Sequence, residues 1–270
     1  MKSTALRAIF AGALLLWAGS AAFGQDYKEV YNEALAAAEA KNYSQAYEKY
    51  QQAADLAKAG GDAEVANRAL KVLAQLDKIF GSREYKQGNY DDALTYFNKG
   101  IAHNPDYAAN YYNKGLALKK LGRIDEAMET LDRASEMNDS KVARDAEEAI
   151  RSHYHAQAST AVAKENPSRS DADRALAALA EMEKYVTSDA DSYYYMATAA
   201  SVKGDYEEAI SYADKALELH RGGRADRAKI YFVKGEALMY TGDIPAAKEE
   251  FRNAAYGSYK ASAEHYIETL

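Results

Sequence analysis

Apolar residues recur at three- and four-residue intervals along most of the chain, and short polar turns interrupt them at regular places. The clearest run lies between Ala108 and Lys141, where Tyr111, Gly115, Leu118, Ala127, Leu131 and Ala134 form two apolar stripes separated by Gly122-Arg123-Ile124. Side chains three or four apart share one face of an α-helix, so the stretch predicts helix, tight turn, helix. The turn recurs five times: Lys41-Asn42-Tyr43-Ser44-Gln45-Ala46, Gly88-Asn89-Tyr90-Asp91-Asp92-Ala93, Gly122-Arg123-Ile124-Asp125-Glu126-Ala127, Gly204-Asp205-Tyr206-Glu207-Glu208-Ala209 and Gly242-Asp243-Ile244-Pro245-Ala246-Ala247. Fixed offsets follow each copy, at Tyr50 and Ala53, Phe97 and Gly100, Leu131 and Ala134, Ala213 and Ala216, and Phe251 and Ala254.

The chemistry of the turn explains its composition. Glycine takes the left-handed conformation that ends a helix, and a following Asn or Asp caps the next one. Acidic residues such as Asp91, Asp92, Glu207 and Glu208 then fall in the first helical turn, where the helix dipole favours them. The alanine that follows lets two helices approach closely, while the tyrosine or isoleucine packs back on the first helix. Pro245 falls in the first turn of a helix, and Pro105 and Pro167 fall between helices, which suits a residue without an N–H.

Tyr90 and Ile124 are 34 residues apart, the period of tetratricopeptide repeats. On that spacing, and on Tyr111, Gly115, Leu118, Gly122, Ile124, Ala127, Leu131 and Ala134 in signature order, the chain resembles the tetratricopeptide-repeat family. The resemblance implies an all-α, right-handed α-solenoid of antiparallel helix pairs. About six units are expected, at 27–60, 74–107, 108–141, 142–188, 190–223 and 228–261, the fourth divergent. The Tyr43-to-Tyr90 and Tyr206-to-Ile244 intervals depart from 34, being 47 and 38, and the fourth copy has no glycine turn. Aligning that copy on Ala172, Ala175 and Leu179 leaves an excess that predicts long first helices over roughly 62–87 and 142–164. A stack of such units needs its last apolar face covered. Tyr259, Ala263, Tyr266, Ile267 and Leu270 line one helical face, so residues 258–270 predict a capping helix.

The first residues change the cellular picture. Lys2 and Arg7 precede an uncharged stretch, Ala8 to Ala22, and small residues lead to Gly24-Gln25, the layout of a secretory signal peptide over residues 1–24. The apolar part is shorter than a bilayer span requires, so no stable membrane anchor is expected after cleavage. Export places the chain in the periplasm first, with secretion as the second destination. Cleavage would remove two basic and no acidic side chains, leaving 32 basic against 41 acidic, net −9, and would also remove Trp17, the one tryptophan. Such an acidic balance argues against nucleic acid as a partner. The absence of cysteine removes disulfides, thiol catalysis and cysteine zinc sites from consideration.

No enzyme chemistry stands out, and no cofactor or metal is expected. His153 and His155 are two apart, on different sides of a helix, and read as a solvated pair; His103, His220 and His265 are isolated in sequence. Asp91-Asp92 and Glu207-Glu208 are explained by helix starts, and Gly60-Gly61 and Gly222-Gly223 read as breaks between helices.

The resemblance implies that function lies in a concave groove lined by the first helix of each pair. One step round from the packing stripe, the binding residues are Tyr112, Leu116 and Lys119 with Asn113 beside them. Their counterparts are Tyr194 and Thr198 with Tyr195 adjacent, and Phe232, Glu236 and Met239 with Tyr240 adjacent. These are expected to hold a peptide or protein segment, each aromatic anchor stabilising by about 1.5–3 kcal/mol before ordering costs, hence micromolar binding. Some cytosolic relatives grip a chaperone's terminal carboxylate here. Lys78 and Asn113 match that set, but Ser82, Ala143 and Glu147 depart from it, so that activity is not expected. The leading reading is a non-enzymatic interaction scaffold of the bacterial cell envelope. Self-association into an envelope assembly is the alternative, and glycan or small-molecule binding by tyrosine stacking a third.

Overall fold

The computed structural model describes residues 26–270. The expected signal peptide, its cleavage point and Trp17 lie outside them. The described residues are helical, with no strand, and run α1 (Tyr27–Glu39), α2 (Tyr43–Ala59), α3 (Ala63–Gln87), α4 (Tyr90–His103), α5 (Ala108–Lys120), α6 (Ile124–Ser135), α7 (Ser140–Val162), α8 (Arg169–Met182), α9 (Ala190–Lys203), α10 (Tyr206–Leu219), α11 (Arg224–Thr241), α12 (Ile244–Ala254) and α13 (Lys260–Thr269). A 3₁₀ turn, Gly257–Tyr259, precedes the last helix. The two long helices, α3 and α7, fall where the excess spacing predicts them.

The chain divides into two compact units after Ala146, within α7. In unit 1, α1 to α6 pack each on the next, and α3 also meets α5. Its first core gathers Val30, Tyr31 and Ala34 of α1, Ala46, Tyr50 and Ala53 of α2, and Val65, Ala69, Leu73 and Leu76 of α3. Tyr31 and Tyr50 meet edge to face, 5.2 Å apart. In unit 2, α8 to α13 likewise pack in sequence, with α9 also against α11. Each unit is thus an α-solenoid segment of antiparallel helix pairs, and a C-terminal helix ends the second.

The five recurring turns share one backbone geometry. At Gly88 φ is +87°, and the N–H of Asn89 bonds back to the carbonyl of Glu84, the closure that lets a left-handed residue end a helix. The same six-residue closure joins Asn42 to Ala37, Arg123 to Leu118, Asp205 to Ala200 and Asp243 to Leu238. In the first turn the left-handed slot is held by Lys41, at φ +63°, which carries a side chain where the other four copies have glycine.

The capping expectation holds in part. Asn42 and Asp243 accept from the amides of Gln45 and Ala246. Asn89 and Asp205 sit at helix starts without that bond. Asn89 instead donates to Glu84 on the helix before, 3.0 Å away, and Asp205 lies 3.7 Å from Lys203, so both tie the turn backwards.

Within a pair, volume is traded between residues sixteen apart. A Cβ on Gly81 would meet the Phe97 ring, on Gly115 the Leu131 side chain at 2.6 Å, and on Gly235 the Phe251 ring. Where the first position is Ala197, the residue sixteen on is Ala213, and both are fully buried. A small residue therefore faces a large one, or two alanines share the space.

The divergent region, α7 to α8, has its own start signal. Ser168 caps α8, accepting from the amide of Asp171, while Asp171 accepts from the amide and hydroxyl of Ser168. Lys164 and Arg174 also bond Asp171, and this holds its carboxyl far below the usual carboxylate range. The Ser-x-x-Asp spacing of a capping box is present in the sequence, and it fixes the helix start at a loop that the repeat register alone leaves undefined.

Candidate functional site

The first helices of unit 1, α3 and α5, bring Lys78, Tyr85 and Tyr112 to one side. Burial, then Asp145, raises the Tyr112 phenol, against the pull of Lys141. Burial raises that of Tyr85 too, with Tyr90 and Tyr112 adding to it. Tyr112 therefore sits between Tyr85 and the start of α7. Lys119 is half-buried, its ammonium disfavoured first by burial and then by Lys120; Leu116 is half-buried a turn away. Asn113 turns its amide onto its own helix, donating to the Ala109 carbonyl at 2.6 Å. Lys78 is half-buried, its pKa lowered by burial and then by Lys86, and no ion pair joins it to a carboxylate among the described residues.

In unit 2, Tyr194 and Tyr195 lie 5.3 Å apart on α9. Lys229 of α11 reaches across, bonding Asp191 at 2.6 Å with its ammonium 4.6 Å above the Tyr194 ring. Burial and the nearby Tyr259 hydroxyl raise the Tyr194 phenol well above its ordinary value. Thr198 spends its hydroxyl on the Tyr194 carbonyl, 2.9 Å away.

The α11 residues are covered by the chain itself. Phe232 touches Phe251 at 5.6 Å, Tyr259 at 5.2 Å and Tyr266 at 5.9 Å. Glu236 accepts from the Tyr266 hydroxyl at 3.4 Å; burial raises its carboxyl and that bond opposes the rise. Met239 packs in the same cluster, with Ile267 and Leu270. Tyr240 stands apart from these three, 61% exposed and stacked on Tyr206 of α10 at 4.7 Å.

Two histidines are not solvated as the sequence leads one to expect. His155 is half-buried, its Nε2 2.8 Å from the Ser192 hydroxyl and its ring 5.4 Å from Tyr195. Ser192, His155 and Asp189 form a compact set, but Asp189 bonds the serine rather than the far nitrogen of the imidazole, and Ser192 is fully buried. The bonding is that of a helix cap, the wrong order for activating a nucleophile. His103 is not isolated either, since its Nδ1 lies 2.7 Å from the buried carboxylate of Asp77. The signal for that pair was an Asp inside the apolar stretch Val72–Phe80. Among the described residues no three His, Asp or Glu side chains gather to hold a metal ion, and no helix is long and apolar enough to cross a membrane.

Burial lowers the His155 pKa, outweighing Asp189, Asp191 and Glu148, which raise it, while Arg151 adds to the lowering. The unfolded chain then binds this proton more readily than the fold, so stability rises with pH through this region. Stability of unit 2 is expected to fall as pH drops from about 7 through the ordinary histidine value, about 6.5. Urea unfolding at stepped pH, compared between the parent and His155→Gln, checks this: the variant's curve should be flatter as pH falls below about 6.5.

Family models described as tetratricopeptide repeat match residues 84–150 and 168–226. Among solved structures, MamA residues 41-end from Desulfovibrio magneticus RS-1 is 19% identical with a TM-score of 0.37, over 73% of this chain and 97% of that one. YrrB, described as a TPR protein with an unusual peptide-binding site, is 16% identical with a TM-score of 0.38, over 73% and 92%. TTC0263, a TPR protein of Thermus thermophilus, is 15% identical with a TM-score of 0.32, over 90% and 99%. Comparison with curated proteins gives no match.

Proposed function

Because this chain belongs to the tetratricopeptide-repeat family, we propose that it is a non-enzymatic scaffold, exported into the bacterial envelope, that holds a peptide or protein segment against its first helices. The observation that carries this is the unit 1 face, where Tyr85 and Tyr112 adjoin and Lys78 is half-buried without a carboxylate partner among the described residues. A partly desolvated ammonium gains from an acidic group brought by a partner, and tyrosines offer large contact area at low entropy cost. In unit 2 the same role falls to Tyr195 of α9, since Tyr194 lies under Lys229 and beside Tyr259, and α11 presents Phe232 and Glu236 to the chain's own C-terminal segment.

The test is capture from envelope extracts, followed by affinity measurement on the purified partner. Tyr112→Ala and Lys78→Ala are each expected to weaken that affinity about tenfold, the loss of one good anchor. Equal affinity for parent and both variants sinks the first-helix reading. Tyr240 stacked on Tyr206 in the open, with Tyr256 and Leu219 also exposed, favours the second reading, assembly of copies. That reading requires sedimentation to become concentration-dependent in the parent and to lose that dependence in Tyr240→Ser.

A further inference from the structure

We infer that unit 1 carries a second docking site, a cation-flanked aromatic hollow between α2, α3 and α4, which takes an acidic side chain and its apolar neighbour from a peptide partner. The hollow measures 250 Å³ and is lined by Ser44 and Tyr47 of α2, Phe80 and Arg83 of α3, and Tyr96 and Lys99 of α4, with Glu48 at its rim. It is separate from the Lys78 face. At about 100° per residue, Phe80 and Arg83 lie some 200° and 140° round α3 from Lys78. The site and its test therefore stand whether or not the first-helix proposal holds.

Three rings make the floor. Phe80 lies 5.8 Å from Tyr47 and 5.6 Å from Tyr96, tilted by 54° and 57°. The tilts keep the rings from stacking on one another, and of the three only the Tyr47 ring carries no cation among the described residues, so it can receive an apolar group. Tyr47 is backed by the His103 ring, 6.3 Å away, whose Nδ1 lies 2.7 Å from the fully buried Asp77. The floor is thus fixed before anything binds, which spares a ligand the cost of ordering it.

Two cations stand on the ring faces. The Arg83 guanidinium is 5.7 Å from the Phe80 centroid, and the Lys99 ammonium 5.5 Å from that of Tyr96. Lys99 forms no ion pair among the described residues, and Arg83 meets only its neighbour Glu84, at 3.2 Å, with 61% of the arginine side chain exposed. Glu84 offsets Arg83 and Glu48 stands at the rim, so Lys99 is the cation that forms no ion pair among the described residues, which suits a single carboxylate and disfavours a phosphate dianion or a polyanion. The apolar floor beneath asks for a ring or aliphatic side chain beside that carboxylate, a combination that a peptide supplies within two residues.

Fluorescence anisotropy of the full chain with labelled acetyl-Ala-Glu-Phe-Ala-amide tests this, beside a counterpart with Lys for the Glu. The parent is expected to bind the acidic peptide. The double variant Arg83→Gln, Lys99→Gln should bind it at least fivefold more weakly, and Lys58→Gln, which alters an exposed cation outside the hollow, should bind it as the parent does. Both altered cations are exposed, and unchanged circular dichroism would confirm that the double variant folds. No binding by the parent, equal binding by the double variant, an equal loss in Lys58→Gln, or equal binding of the lysine peptide would each overturn the proposal.

Discussion

Gly115→Ala is expected to destabilise unit 1 by about 1–2 kcal/mol, Leu131→Ala by about 3 kcal/mol, and the two together by clearly less than their sum. The added Cβ of the first variant would lie 2.6 Å from Leu131 Cγ and 3.3 Å from the Ala127 carbonyl. The nearer atom is a branch point close to the backbone, so Leu131 has little room to yield. Overpacking of that kind costs about 1–3 kcal/mol, against a gain of up to about 1 kcal/mol for replacing glycine inside a helix. Leu131 is fully buried, so shortening it leaves a cavity. In the double variant the new methyl enters that cavity, and the helix gain is no longer opposed. The result copies the native Ala197 and Ala213 arrangement, so a coupling of about 2 kcal/mol is expected from the double-mutant cycle. Urea unfolding followed by circular dichroism measures it. Simple additivity would mean that α5 and α6 had moved apart and that the sixteen-residue exchange is not a local fit.

Ending the chain after Tyr256 is expected to cost more, on the order of 5 kcal/mol. The lost segment supplies Tyr259, which touches Phe232, and Tyr266, stacked on Phe251 at 4.7 Å with 14° between ring planes. Ala263, Ile267 and Leu270 close the same cluster. Without them Phe251, now fully buried, and Phe232, Leu238 and Met239 face water. Each large apolar side chain exposed loses about 1.5–3 kcal/mol, and a domain has only about 5–15 kcal/mol in all. The truncated chain should therefore bind the dye ANS, lose its sharp melt and aggregate. If it keeps helix content and melting temperature, α13 is peripheral, and Phe232, Glu236 and Met239 become an open face.

Much of the fold was legible because the repeat rests on local chemistry. Turn glycines, alanines at the close approach and the spacing of large apolar residues located the helix pairs, and the surplus between Tyr43 and Tyr90 located the long helix α3. Legibility ended where contacts join distant positions. His155 and Ser192 are 37 residues apart and His103 and Asp77 are 26 apart, so nothing in the neighbourhood of either histidine marks its partner. Caps at Asn89 and Asp205 failed because each side chain found a competing group on the preceding helix. For the binding face, helical phase chose the side of each first helix but not what would cover it. The C-terminal segment lies over Phe232 and Glu236. Tyr240, at the end of α11, instead found a ring on α10. The hollow of Tyr47, Phe80 and Tyr96 draws on three helices and has no linear signature.

The sixteen-residue exchange also bears on how such a chain accommodates inherited change. A substitution that enlarges one position can be compensated inside the same helical hairpin, by a single second change a fixed distance along the gene. Lineages would then drift pair by pair, with correlated substitutions at that separation and few between hairpins. Intervals of 47 and 38 residues between turns can coexist with 34 in one protein for the same reason, because lengthening a helix outside the matched pair leaves every other match untouched.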